Sequence, residues 1–438
     1  MSGRSLNWYP EIVNDPEEYD VVVAGAGPGG LGAAIGAGRA GFRTLLLERA
    51  GIPGGTATLA NCCHFMGSAV HGRQVVGGIV DELMRRLNER GAAYLIKQPD
   101  CVPDYRSLAG RALTSSLAIE PHHFVVEANR MLQEAGVHVR YYAPVVGGET
   151  AADGRITSVI HDSPRGLRRV RGKVFIDATG DAHLSYRVGA ECVEAPPAEA
   201  MTKTLLIDFM NVEDFYRPRC AERFDALYEE GKVPFYGQNY FMGIGLIPKG
   251  NVHINVTLTA GDALDVEELT AMELKLREQV VQAEQWYREF MPGFARASLS
   301  RAAMFMGIRA GRRVCGEATL SMEMVQQGGD REEPMTWGKA SYGSHGIDRF
   351  VPQWHYRSAD VCGIGRRMLI ARGIPNLAMV GRCISVDHRC LDAVRLMATC
   401  MNMGEACAVL CACALRRHRE RLLDVAYAEI ESELRSAG

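Results

Sequence analysis

At 438 residues and 47% hydrophobic content, the chain is long enough for two interleaved domains. Its 49 basic and 52 acidic side chains leave a net charge of −3, which implies no basic face and excludes nucleic acid as an expected partner. Thirteen cysteines, behind a polar, acidic start (Met1 to Glu18) unlike an export signal, predict reduced thiols and a cytoplasmic protein.

Met1 to Glu18 reads as an arm, anchored by Trp8, Tyr9 and Pro10. Val21, Val22 and Val23 form a β-branched run suited to a strand buried on both faces. Gly25, Gly27 and Gly30 then spell G-x-G-x-x-G, with Pro28 and Gly29 inside the motif. Ala33, Ala34 and Ala37 continue as a helix of small side chains, and Phe42 to Leu47 is a second strand ending at Glu48 and Arg49. Each part has a mechanical reason. Gly25 permits a tight turn, Gly27 lets the backbone approach a pyrophosphate, and Gly30 lets helix and strand pack closely. The helix N-terminus faces the anion. Glu48 stands where a carboxylate accepts hydrogen bonds from an adenosine ribose. A lone glycine motif is weak evidence, but strand, turn, helix, strand and terminal acid in register predict dinucleotide binding. An ordinary βαβ unit leaves the many small residues after the turn unexplained.

The loop that follows, R-A-G-I-P-G-G-T-A-T-L-A-N-C-C-H-F-M-G, sets Gly54, Gly55, Thr56, Ala57 and Thr58 side by side. Such a segment passes close to a flat ring and offers it backbone donors. Together the two motifs resemble the glutathione-reductase-type FAD-binding fold. Within it they are similar to the FAD-dependent oxidoreductases distantly related to fumarate reductase flavoproteins. The resemblance implies FAD held non-covalently, because covalent relatives place a histidine just before the G-G loop and residues 49–52 contain none. Disulfide reductases of the wider fold carry a cysteine directly after G-G-T and another five positions on. Here the first place is Ala57 and only Cys62 fills the second, so no such redox dithiol is implied. Cys62 and Cys63 read as small buried side chains beside the flavin, adjacent cysteines rarely suiting a disulfide. His64 faces substrate in one reading and packs in the other.

Gly72 to Gly91 has helical periodicity through Val75, Val76, Ile79, Leu83 and Leu87. Lys97 to Gly110, with two prolines, reads as a loop. Glu120 to Ala135 reads as a helix with Pro121 at its start. His122 and His123 in its first turn point in different directions, so no metal site is expected. Val137 to Tyr142 and Pro144 to Val146 read as strands, and in the family this place brings backbone near the adenine at Val145. Asp153-Gly154 marks a hairpin turn. Arg165 to Lys173 carries five basic residues in nine positions and reads as a charged hairpin face. Val174 to Ile176 re-enters the sheet and ends in D-A-T-G-D, which resembles the family's A-T-G-D motif. There Ala178, Thr179 and Gly180 would touch the cofactor, and Asp181 would cap the next helix.

Composition changes at Glu191. Thr204 to Met210, Gly245 to Pro248 and Val252 to Leu258 read as strands, and Glu213 to Glu230 as a helix. Asp265 caps a long helix that reaches Phe290. G-I-R-A-G-R-R at 307–313 resembles the family's G-I-R-E-S-R-R, with Ala310 and Gly311 in place of Glu-Ser. Y-G-S-H-G-I-D at 342–348 loosely matches a segment that reaches the active site, with His345 as its histidine. Asn376 to Ser385 reads as a strand returning to the cofactor domain. Gly381 is followed by Arg382 rather than the aspartate of the wider fold, as in the nearer family. Asp392 to Leu415 reads as one long helix resembling S-x-R-V-M-P-T-C, with Ala398 replacing proline. The resemblance aims its N-terminus at the pyrimidine edge of the flavin, where the dipole and Arg395 would stabilise negative charge. Cys400, Cys407, Cys411 and Cys413 read as small buried thiols. The apolar run Ala406 to Leu415 is too short to span a bilayer.

The expectation is thus an α/β chain: a Rossmann-like FAD-binding domain of the glutathione reductase type over 18–190 plus 350–438, with an inserted α+β substrate cap over 191–349. One dinucleotide fingerprint implies no built-in NAD(P)H domain. The expected activity is hydride transfer between flavin N5 and a small organic substrate, with Arg395, His345 and His64 as candidate catalytic residues and no metal. A monooxygenase using NAD(P)H from solution and a non-redox flavin-dependent isomerase or scaffold are the alternatives, and a homo-oligomer is left open.

Overall fold

Val21, Val22 and Val23 are fully buried in the centre of a seven-stranded sheet. The structure is a computed structural model and describes residues 11–70, 73–97, 102–104, 116–195, 201–235, 240–339, 344–345, 350–351 and 361–437. The strands of this sheet are β1 (Val13–Ala24), β2 (Thr44–Leu47), β3 (His138–Arg140), β4 (Val145–Thr150), β5 (Ile156–His161), β6 (Arg168–Asp177) and β7 (Leu377–Met379). Strands β3, β2, β1, β6 and β7 lie side by side and parallel. Strands β4, β5 and β6 form an antiparallel meander with the Asp153-Gly154 turn between the first two. On the outer edge of β6, β5 pairs with residues 168–171 and β7 with residues 175–177. Helix α1 (Pro28–Arg39) starts at the carboxyl end of β1, α2 spans Ile79–Glu89, α3 spans Pro121–Glu134 and α4 spans His183–Arg187.

Two local expectations fail at this end of the chain. Residues 13–18 are not an arm but the start of β1, with Val13 opposite Arg168 and Asn14 opposite Arg169. This stretch lacks apolar periodicity because polar pairing holds it. Arg169 donates to Asn14 at 2.8 Å, and Asp15 pairs with Arg140 at 2.6 Å. Lys173 reaches Asp20 at 2.7 Å, so the basic run 165–173 is partly spent inside the sheet. Helix α2 begins at Ile79 and not near Gly72, because Gly78 takes φ +62° and stops the helix there.

A second, four-stranded sheet joins His64–Met66, Ser116–Ile119, Ala93–Lys97 and Val102–Asp104. The last of these lies where a loop was expected, with Pro103 on an edge strand. A third sheet holds Gly243–Leu246, Asn251–Ile254, Ile207–Met210 and Ser298–Ala302. Its helices are α5 (Arg217–Glu229) and α6 (Val266–Phe290), the latter capped by Asp265, whose carboxylate accepts from the amides of Glu267 and Glu268. Residues 205–303 have an apolar core of their own around Phe209, Phe224, Trp286, Tyr287 and Phe294. Val314, Leu320, Val325 and Met335 are already buried in the core of the large sheet, so the chain returns near residue 310 rather than 350. His345 falls in a two-residue strand with Ser344, and its side chain lies outside the described residues.

The expected helix from Asp392 to Leu415 is two helices, α7 (Leu391–Val394) and α8 (Met397–Arg416), with Leu396 extended between them. The break puts Ala398 in the first turn of α8, where the proline of the family motif would also be tolerated. Helix α8 is long and apolar enough to cross a membrane, contrary to the short run expected, but 78% of its apolar stretch is buried inside the protein. It is apolar on every side because it is packed on every side. Cβ atoms at Gly32 and Gly404 would collide with the backbone carbonyls of Met401 and Gly29, so α1 and α8 cross in backbone contact. One carboxylate of α8, Glu405, accepts from the Ile79 amide at 2.9 Å and caps α2, whose own N-cap is a glycine.

Candidate functional site

The turn from β1 to α1 is built by exclusion. Gly25 has φ +98°, and a Cβ there would run into the carbonyl of Ala178 at the end of β6. A Cβ at Gly30 would collide with the carbonyl of Gly25, which locks helix to strand. At Gly27 a Cβ would meet nothing within 4 Å. That opening is part of a cleft of about 340 Å³, within the size range of small-molecule sites. Gly25, Gly27, Pro28 and Gly29 form its floor, at the N-terminus of α1, which carries no acidic side chain and no side-chain cap. The first-turn amides of α1 therefore keep their capacity for an anion.

Glu48, Arg49 and Val145 also line the cleft, as do Gly55 and Thr56. Both oxygens of Glu48 accept backbone amides, from Ala26 at 2.6 Å and Ala50 at 2.8 Å. Each oxygen keeps a lone pair, so tying β2 to the turn does not exhaust the carboxylate. Ala178, Thr179 and Gly180 form a further wall, with Gly381 and Arg382 beside them and Arg395 farther along.

Five expected residues stand outside the wall. Gly30 packs against Gly25. Ala57 is fully buried, and the Thr58 hydroxyl donates to the Pro53 carbonyl at 2.7 Å instead. Asp181 does not cap α4. Asp177 does that, accepting from the Ser185 amide at 2.8 Å, while the Thr179 hydroxyl accepts from the His183 amide at 2.7 Å. Asp181 forms a two-pronged ion pair with Arg382. Burial pushes the Asp181 carboxyl up, but Arg382 overrides it and holds the group below its ordinary value. A side chain at 311 would strike this carboxylate, which explains Gly311 where the family motif has serine. The fifth, His64, lies beside the third sheet.

Other wall residues were not among the expected cofactor contacts. His183 and Arg187 come from α4, and Met397 and Cys400 from the start of α8. Phe305 sits under the Arg49 guanidinium, 5.6 Å from the ring centroid. Ile308, in the G-I-R motif, and Met397 and Cys400, in the segment resembling S-x-R-V-M-P-T-C, are the ones that motifs could have pointed to.

Near Arg395 the site becomes basic. Arg395 Nε donates to Asp392 at 2.6 Å. Arg309 donates from Nη1 to the Thr202 carbonyl at 2.8 Å. Burial first, and then the like charge of Arg395, bring the Arg309 pKa down to about 10. Tyr240 and Cys62 lie within the same electrostatic reach, and burial raises the pKa of both. Cys62 and Cys63 are free thiols, as are all the described cysteines.

His64 is neutral above about pH 4, because burial, then His253 and Arg217, disfavour its cation. Its Nε2 is buried and has no hydrogen-bond partner among the described residues. Behind it, His253 Nδ1 meets Asp208 at 2.6 Å, and Asp208 also binds Arg301 at 3.1 Å and Asn61 at 3.1 Å. The ligand atoms of Cys63, Asp208 and His253 lie within 4.8 Å of one another. Both Asp208 oxygens are nevertheless taken, and Arg301 already supplies the charge that a cation would bring.

A family model described as FAD dependent oxidoreductase matches residues 20–434. None of the curated proteins matches the sequence. Among solved structures, a geranylgeranyl bacteriochlorophyll reductase-like protein from Thermoplasma acidophilum is 14% identical, with 97% of this chain and 84% of that chain covered and a TM-score of 0.48. A myxobacterial chondrochloren halogenase, described as a variant of FAD-dependent halogenases, is 16% identical, with 95% and 78% covered and a TM-score of 0.49. The anhydrotetracycline hydroxylase of Streptomyces rimosus is 17% identical, with 92% and 63% covered and a TM-score of 0.42. Likenesses of this size say nothing of substrate or reaction.

Proposed function

The chain belongs to the FAD-dependent oxidoreductase family and uses FAD as its cofactor, and from that premise we propose that it catalyses hydride transfer between the flavin and a small organic substrate, as a dehydrogenation or the reduction of an activated C=C bond. The observation that carries this reading is Arg395 in the same cleft as Gly27: one cavity joins an anion-binding turn to a fixed positive charge.

The residues present suit FAD. The open backbone at Gly27 and the α1 N-terminus would hold the pyrophosphate. Glu48 keeps acceptor capacity for a ribose, and Val145 offers backbone at the adenine end. Bound there, FAD supplies two-electron chemistry at its ring. Arg395 presents a planar guanidinium, and Asp392 holds its side chain in one geometry. Asp181 does the same for Arg382. Cys400 stays a thiol, since burial raises its pKa to about 12, so the wall carries no thiolate to compete for electrons. His64 stands outside the cleft wall and is neutral at ordinary pH, and its Nε2 has no partner among the described residues, so it is kept as a candidate for passing a proton. His345 remains the other candidate for proton transfer.

We take the cofactor domain to be of the glutathione reductase type and residues 205–303, with their separate core, to be the substrate cap. The free thiols accord with a reducing cytoplasm. Anaerobic titration of the yellow holoprotein with a substrate panel tests the reaction. Bleaching of the flavin by a reduced substrate, or reoxidation of reduced flavin by an enoate, is expected. Reduction only by NADPH, with coupled hydroxylation, would replace this reading with a monooxygenase. No electron turnover with any donor or acceptor would replace it with a non-redox role.

A further inference from the structure

Among the described residues, Arg309 has no ion-pair partner, and the one carboxylate whose field reaches it, Asp392, is bound to Arg395. The Arg309 Nη1 is spent on Thr202, with the carbonyl at 2.8 Å and the hydroxyl at 3.5 Å. Among the described residues, its Nε and Nη2 have no hydrogen-bond acceptor, and no carboxylate lies within ion-pair distance of the guanidinium. An unpaired guanidinium withdrawn from bulk water is strongly unfavourable unless a counter-charge arrives from outside. The side chain is partly accessible, and the burial of the rest lowers its pKa.

Its surroundings define what that counter-charge is. Arg395 is within electrostatic reach, and Asp392 already matches its charge. Tyr240 and Cys62, the remaining groups there, are both neutral at ordinary pH, since burial raises their pKa values. Among the described residues, two guanidiniums against one carboxylate leave a surplus of one positive unit. The surplus lies next to the cleft wall, because Arg309 directly follows Gly307 and Ile308, and Arg395 is itself in that wall.

We propose that Arg309, with Arg395 beside it, anchors a carboxylate of the substrate, so that the enzyme acts on a small carboxylic acid. The proposal rests on the hydride-transfer reading only in taking the bound acid to be the substrate. A planar carboxylate matches the donors that a guanidinium fork has left, two N–H groups on adjacent nitrogens. A single negative charge matches the surplus, whereas Asp392 would repel the second charge of a phosphate. Arg309 would then fix the distance of the substrate from the ring and touch no electron.

The test is ligand binding to the FAD-loaded protein, followed by the visible flavin bands and by thermal shift. The probes are acetate, succinate and benzoate, each against its neutral amide, with inorganic phosphate as a second anion. At least one carboxylate should shift the bands saturably while its amide does not. Arg309→Met should weaken that binding roughly ten- to hundred-fold, the range for losing a charged hydrogen bond, with FAD content unchanged. Arg309→Lys should retain part of it. Should Arg309→Met fail to fold, Arg309→Lys and the acid-amide comparison each decide. The proposal falls if no carboxylate binds, if an amide or phosphate binds as tightly, or if the Arg309 variants bind like the parent. Because binding is read without turnover, a carboxylate that binds but never exchanges electrons would sink the hydride-transfer reading and leave this site standing.

Discussion

Glu120, between the strand Ser116–Ile119 and α3, shows how a residue far from the cleft sets pH behaviour. Burial raises its carboxyl pKa, Arg301 opposes the rise and Asp208 adds to it, leaving a value of about 7 against 4.5 for an ordinary glutamate. A raised folded pKa means that the native state holds a proton that the unfolded chain has lost. Glu120 therefore contributes stability fully below pH 4.5, and that contribution drains away as pH rises through about 7. Glu120→Gln should gain melting temperature relative to the parent as pH goes from 5 to 7.5, in circular-dichroism melts. His64 works in the opposite direction at lower pH, but it is common to both proteins, so the difference isolates Glu120. A constant difference across that window would mean that Glu120 is ordinarily ionised in the fold. Arg395 gives a second residue-scale prediction. Replacing it with Met should lower the flavin midpoint potential by on the order of 20–65 mV, from roughly 1–3 kcal/mol for a partly buried charge contact. An unchanged midpoint in a potentiometric titration would leave Arg395 as the partner of Asp392 alone. The motif made Arg395 visible in the sequence, and the structure has it both paired with Asp392 and in the cleft wall. Arg309 was legible only as a motif letter. Its lack of a counter-charge depends on Thr202, Tyr240 and Arg395, brought together from three distant segments.

The elements that position the cleft hold each other through missing side chains. Gly32 and Gly404 let α1 and α8 touch backbone to backbone, and the carbonyl that a side chain at 404 would strike belongs to Gly29 of the glycine-rich turn. Gly404→Val should therefore reduce stability and FAD retention together. Overpacking of a filled interior costs typically 1–3 kcal/mol, and a collision with backbone lies at or beyond the upper end. Urea midpoints and the flavin-to-protein absorbance ratio check it; a variant with the parent's midpoint would show that the helices can part cheaply. Helix α1 was legible because its pattern is local: a β-branched strand, a glycine turn and small residues at helical spacing. The opening of β1 was not, because Asn14 and Asp15 are held by Arg169 and Arg140 from β6 and β3, and polar pairing across strands leaves no periodicity in one of them. The start of α2 was missed for a related reason. Apolar spacing continues back through Val75 and Val76, but the helix begins only where Glu405 of α8 supplies the cap. The break between α7 and α8 is marked by no proline or glycine, so one continuous helix was the natural reading.

At the scale of the whole molecule, the cleft is assembled from segments around residues 25–29, 47–60, 143–146, 178–187, 305–308 and 380–400, so its closure is a long-range property of the chain. The fingerprints at the two ends announced the cofactor domain, because phosphate-binding turns need fixed residue types. The middle was less legible, since the third sheet is built on an apolar core of its own, and 314–339 return to the main core without any motif to say so. A ligand that bridges such separate segments should act as a staple. FAD binds the native chain and has little to bind in the unfolded one, so free FAD at a hundred times its dissociation constant should add about 2.7 kcal/mol to the apoprotein. Apoprotein made by acid precipitation should be colourless, unfold at lower urea than holoprotein, and regain both colour and midpoint with added FAD. The same precipitation decides how the cofactor is held. With no histidine in residues 49–52, and with the described thiols of the wall kept protonated by burial, all of the flavin should stay in the supernatant. Yellow colour that stays with the acid pellet through washing would mean a covalent bond. It would also mean that the staple argument has to be made for a chain that never loses its cofactor.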